Sequence, residues 1–170
     1  MLNGTKHDLR IESESGYKTE EIDLLEIAAH FFLKELAKLK PFDTIHGKVI
    51  VVNDLKSEAA SEPLNGDMAE IKDFYLDNGE RVNYYVCRLA DYANSAETMR
   101  TLAHELIHVW QTATGRLQTS EDNGWYWRGK SYGHTPYSGT DSDYDLPWER
   151  EADKLDLQLT KKFYKTYFTN

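Results

Sequence analysis

Hydrophobic residues recur along the chain at characteristic spacings, and each spacing predicts an element. Between Glu20 and Leu39 the apolar positions Ile22, Leu25, Ala29, Phe32, Leu36 and Leu39 follow one another at steps of three and four. Such steps line one face of an α-helix, and Pro41 marks its end. "KVIVV" (48–52) is a continuous β-branched run, the pattern of a buried strand. "SEPLNGD" (61–67) marks turns. "AEIKDFYLDNGERVNYYVCRLAD" (69–91) then holds two β-rich runs around Asp77-Asn78-Gly79, which predicts a hairpin.

Beyond the hairpin the helical period returns. Asn94 stands three residues before Glu97 as a capping-box pair, and Gly115 supplies a stop, so the spacing predicts a helix over 95–114. Pro147 opens a last helix whose apolar stripe is Trp148, Ala152, Leu155, Leu159 and Phe163. Between these helices, Arg116 to Leu146 is polar and aromatic. It carries Trp125, Tyr126, Trp127, Tyr132, Tyr137 and Tyr144. A structureless loop of this length is unusual in a compact domain. "WYWRGKSY" suggests a small hairpin around Gly129, and the aromatics a secondary core covering the helix pair. Residues 1–18 are polar and aperiodic and read as a flexible N-terminal arm. Residues 19–170 form one α+β domain: an N-terminal helix, a small, mainly antiparallel sheet of about three strands, a helix, the aromatic excursion and a final helix.

Charge and cysteine content narrow the chemistry. The net charge is −9 and no basic stripe runs along the chain, so nucleic-acid binding is not expected. The single cysteine, Cys87, allows no intrachain disulfide and lies in an apolar run, where it reads as a small buried hydrophobe. No segment resembles a signal peptide or a membrane span. A reducing, cytoplasmic setting is expected, with no membrane partner. "DSDYD" (141–145) begins like a calcium loop but has Leu146 and Ala152 where that loop needs glycine and glutamate, so it reads as an acidic turn.

The candidate chemistry lies in "TLAHELIHVWQ" (101–111). His104 and His108 are one turn apart and share a helix face, a spacing that lets two imidazoles converge on one tetrahedral ion. Glu105, beside the first histidine, is placed to take a proton from water activated by such an ion. Met99, Leu102, Ala103, Leu106, Ile107 and Trp110 form the apolar stripe of this helix, and the histidines fall opposite it, beside Thr101 and Gln111.

Two histidines under-coordinate zinc, which takes three protein ligands in catalytic sites. "PWEREADKL" (147–155) offers Glu149, with Asp153 four residues on and on the same face, able to fix a histidine tautomer. Glu151 competes for the ligand role, and His134 is the remaining candidate. His134, Tyr137 and Tyr144 are candidates to stabilise an oxyanion.

"HELIH" followed by "EREAD" resembles the gluzincin type of zinc metallopeptidase, whose pattern is H-E-x-x-H and then E-x-x-x-D on a later helix. The lead-in "YYVCRLADYANSAETMRTLAHELIHVWQ" is similar to minimal zincins of the SprT-like and phage-encoded kinds. The resemblance implies a zincin-like fold, one Zn²⁺ per chain on His104, His108 and Glu149, Glu105 as general base, and Asp153 behind the ligands. It implies an endopeptidase acting on a peptide or protein substrate, in a bacterial or infected host cell. The substrate is expected to add as a strand beside "RVNYYVCRL". A different class of function for the same chain is a binding, regulatory or phage structural protein in which zinc only stabilises the fold.

Overall fold

The computed structural model describes residues 7–14, 17–52, 66–90, 95–120, 122, 124–134, 136 and 145–169. Tyr137, Tyr144 and the Asn94 cap lie outside the described residues.

The first strand, β1 (Asp8–Ser13), falls within the stretch expected to be a loose arm. This is a correction. Leu9 and Ile11 alternate with charged residues, and both are buried in the core. Two apolar positions are too short a signal to stand out in a polar segment. The helix α1 (Thr19–Leu39) follows. Its first turn is closed by Glu21, whose Oε2 accepts a hydrogen bond from the Lys18 backbone N–H at 2.8 Å. After Pro41 the chain forms β2 (His46–Val52), parallel to β1, with Asp8 paired to His46. β1–α1–β2 is thus a crossover unit.

The expected hairpin is present as β3 (Gly66–Tyr75) and β4 (Arg81–Ala90), with Gly79 at φ +81° in the turn. β4 also runs parallel to β2, so the strand order is β1-β2-β4-β3. Among the described residues the sheet therefore has four strands, and only β3 is antiparallel to its neighbour. This corrects the expectation of a mainly antiparallel sheet of about three strands. The crossover through α1 forces β1 and β2 to be parallel, and a hairpin docked by its second strand makes one more parallel pair. β4 is interior, so the strand addition expected beside it has no free edge there.

α2 (Ser95–Ala113) ends in a Schellman motif: Gly115 N–H donates to Thr112 O at 2.9 Å and Arg116 N–H to Gln111 O at 2.8 Å, with Gly115 at φ +68°. The aromatic excursion contains β5 (Leu117–Thr119), β6 (Trp125–Trp127) and β7 (Lys130–Gly133), a second small antiparallel sheet. Arg128 and Gly129 form its tight turn with φ of 48° and 82°, as a two-residue hairpin requires. α3 (Pro147–Phe168) closes the fold, with Pro147 at its start.

The three helices share one core with a single face of the four-stranded sheet. Leu9, Val49, Val51, Tyr85, Cys87 and Leu89 from the sheet meet Phe32, Leu36, Leu106, Trp110, Leu159 and Phe163. Burying each of the larger of these side chains is worth about 1.5–3 kcal/mol. Leu117, Trp127 and Trp148 make a second cluster, joining the small sheet to the first turn of α3. No helix among the described residues is long and apolar enough to cross a membrane.

Candidate metal centre

α2 lies at the middle of this assembly, and its polar face is covered as well as its apolar one. Thr101, Glu105, His108 and Gln111 are all buried. The cover is α3, whose first turns bring Glu149 over the two histidines. His104 Nε2 and His108 Nε2 are 3.1 Å apart, and Glu149 Oε2 lies 3.2 Å from the first and 3.3 Å from the second. The three donor atoms form a nearly equilateral triangle. A tetrahedral zinc with bonds of about 2.0–2.1 Å keeps its donors roughly 3.3 Å apart, so the triangle has the right size.

Proton placement makes the same point. His104 Nδ1 is 3.1 Å from Asp156 Oδ2, a carboxylate oxygen that only accepts. His108 Nδ1 is 2.9 Å from Gln111 Oε1. The Gln111 amide is oriented by its other end, since its Nε2 donates to Trp148 O at 3.0 Å. Each imidazole therefore carries a proton on Nδ1 and turns its Nε2 inward. With the Glu149 oxygen, two ring nitrogens and a carboxylate meet at one place, an arrangement that calls for positive charge, a proton or a cation.

The electrostatics express that demand. Burial by itself lowers the pKa of His104, but hydrogen bonds to Asp156 and Glu149 prevail and push it up to about 10. His108 moves upward as well, burial again opposing and Glu149 prevailing. Glu105 is pushed up to about 7, chiefly by burial; His108 and His104 pull it down, while Glu149 and Asp67 add to the rise. Neither carboxylate of the site lies free in solvent.

Of the residues expected at the site, the structure brings together His104, His108, Glu149 and Glu105. Asp153 is displaced from its expected role, which is a correction. Its Oδ1 is 3.6 Å from His104 Nδ1 and its side chain is 43% exposed, whereas Asp156 makes the hydrogen bond and is 2% exposed. Helix geometry explains it. Seven residues after Glu149 bring Asp156 back to within about 20° of the same direction, while four leave Asp153 about 40° past it. Arg100 then occupies the other Asp156 oxygen, its Nε donating to Oδ1 at 3.0 Å.

His134 is exposed at the end of β7, and its Nδ1 lies 3.0 Å from the Asp122 carbonyl, so it is not part of this group. Tyr137 lies outside the described residues. Gln111 and Asp156 are the participants that the sequence reading did not assign. Their signals are the i, i+3 step from His108 and the two-turn step from Glu149.

Gly66, the first residue of β3, sits directly against this helix. A Cβ there would lie 2.6 Å from Thr101 Cγ2 and 3.0 Å from Glu105 Oε1. Only glycine lets the strand backbone pass so close to the buried carboxylate. Cys87 is buried in the core, with its thiol pKa raised well above the usual value by burial first and then by Glu105 and Asp67.

Comparison with models of protein families, with curated proteins and with solved structures gives no match.

Proposed function

We propose that the chain is a zinc-dependent peptidase in which His104, His108 and Glu149 hold the metal and Glu105 is the general base. The observation that carries this reading is the convergence of two ring nitrogens and a carboxylate, each fixed from behind or by its helix, beside a buried carboxylate on the next residue. Two imidazoles and one carboxylate in a tetrahedral-sized triangle are a donor set suited to zinc. Bound zinc supplies a Lewis acid that acidifies water and polarises a carbonyl.

The remaining chemistry belongs to the chain. Glu105 takes a proton from water on its carboxylate and returns it to the amine nitrogen that leaves. Burial raises the affinity of its carboxylate for a proton, which favours the first half of that transfer. Asp156 and Gln111 hold the two imidazoles in register. An extended peptide fits beside β3: among the described residues this strand pairs only with β4, so its other edge offers backbone groups for strand addition. β3 also begins at Gly66, against Glu105. A sheet edge beside the motif helix, with the third ligand on a later helix, accords with the zincin-like arrangement that the resemblance implies.

Two measurements test the reading. Zinc content per chain, determined on protein purified without chelator, is expected to be one for wild type and markedly lower for Glu149→Gln. Glu105→Gln is expected to keep its zinc and to lose about 10²–10⁴-fold in peptide hydrolysis. A folded wild type that takes up no zinc when offered it removes the metal centre. Hydrolysis that survives Glu105→Gln removes the enzyme and leaves the metal a structural role.

A further inference from the structure

Glu151, two residues beyond Glu149, is a competing candidate for the metal, yet it does not face the ion-sized triangle. It is committed elsewhere. Its Oε2 accepts a hydrogen bond from Gln111 Nε2 at 3.1 Å, and its Oε1 is held by Arg116, with the Arg128 guanidinium also 3.2 Å away. Arg116 is in turn clamped between two indoles, 4.6 Å from the Trp110 ring centre and 5.2 Å from that of Trp127. Stacking of this kind is what a planar guanidinium holds best.

These contacts form one unbroken line: Trp127 and Trp110, Arg116, Glu151, Gln111, His108. The line ends on the ring nitrogen that decides whether His108 presents a bare Nε2 inward. Gln111 can face His108 with either its oxygen or its NH₂, and only the first leaves the proton on Nδ1. The Trp148 carbonyl and the Glu151 carboxylate both demand the NH₂, so together they turn the oxygen to His108. The strained turn at Arg128 fits this picture. A non-glycine residue at φ 48° is disfavoured, and its side chain stacks on Trp127 and reaches Glu151.

We propose that Glu151, clamped by Arg116, is a positioning residue of the metal centre: it fixes the Gln111 amide and through it the ligating tautomer of His108. The small aromatic sheet thereby acquires a task beyond packing, since it supplies the Trp127 side of the clamp. This inference rests on the metal reading above. It predicts an effect on one histidine and not the other, because His104 is fixed by Asp156 through a separate set of contacts.

The experiment compares wild type, Glu151→Gln and Arg116→Lys. Zinc affinity is measured by chelator competition, and the Nδ1 protons of both histidines are followed by ¹⁵N-edited NMR of the zinc-loaded protein. Glu151→Gln is expected to bind zinc about tenfold more weakly, the lower end for an outer partner of a ligand. Exchange of the His108 Nδ1 proton with water should accelerate while that of His104 stays as in wild type. Arg116→Lys keeps the charge and loses the planar group stacked on the two indoles, so a smaller change of the same kind is expected, and it decides the matter if Glu151→Gln does not fold. Unchanged affinity and unchanged proton exchange in the folded variants overturn the positioning role alone. Equal acceleration at both histidines also overturns it, showing a general loosening. A wild type that takes up no zinc overturns the metal reading itself, and the positioning role with it.

Discussion

The two histidines of α2 are one turn apart, yet the regions behind them are built differently. Behind His104 stands a charged pair: Asp156 accepts from the ring and Arg100 holds the other oxygen. Behind His108 stands a neutral amide, Gln111, with the nearest carboxylate, Glu151, one step further back. Both lines end on an arginine, so each balances its charge. The difference is distance. A carboxylate in direct contact fixes a tautomer and at the same time attracts a second proton to the ring, whereas an amide fixes the tautomer without that attraction. The site thus pairs one strongly basic imidazole with one held chiefly by geometry.

That contrast is most severely tested by removing each partner in turn. Asp156→Ala should cost the most, about 100-fold in zinc affinity, because it strips the His104 Nδ1–H of its hydrogen-bond acceptor and leaves Arg100 without its closest partner. Gln111→Leu should cost less, about 30-fold, and should lower stability by about 1–3 kcal/mol for the stranded ring N–H. Chelator competition and thermal melts measure both. If the two losses were reversed in order, the charged side would not be the stronger hold.

The pH dependence sharpens the same comparison. In metal-free protein the raised His104 pKa contributes stability that is fully present below its ordinary value of 6.5 and is lost as pH rises through about 10. Zinc must displace that proton, so its own contribution grows over the same interval. The gap in melting temperature between zinc-loaded and chelator-treated protein should therefore widen from pH 6.5 upward. A constant gap would mean that proton and metal do not compete for His104. The smallest expected effect belongs to the strand beside Glu105. Gly66→Ala should destabilise by about 1–2 kcal/mol through overpacking against Thr101 and Glu105, read from denaturant melts, with zinc content kept.

How much of this was legible in the sequence depends on the range of the signal. The three helices and the 66–90 hairpin were legible because each is announced by its own spacing and stop residues, as with Pro41, Gly79 and Gly115. The ligand triangle was legible because both halves lie on periodic helices. Parallel pairing was not, since the register of β1 on β2 depends on α1 returning the chain and leaves no local mark. Asp156 was passed over in favour of Asp153 because a four-residue step looks closer than a seven-residue one, although on a helix the longer step returns nearer to the starting direction. The role of Glu151 was illegible for a different reason. It is set by Arg116 and Trp127, which approach only after the small sheet has formed.

The order of the elements also bears on synthesis. His104 and His108 are complete once α2 has left the ribosome, but Glu149 and Asp156 follow only after the whole aromatic sheet has been made. Until α3 arrives, the buried polar face of α2 lies open to water and to other chains. A domain folds as a unit, so between synthesis of the HELIH segment and that of α3 the polar face of α2 has no cover. A pause or truncation within that interval would leave a nascent chain holding two of the three donors of the proposed metal site and none of their cover.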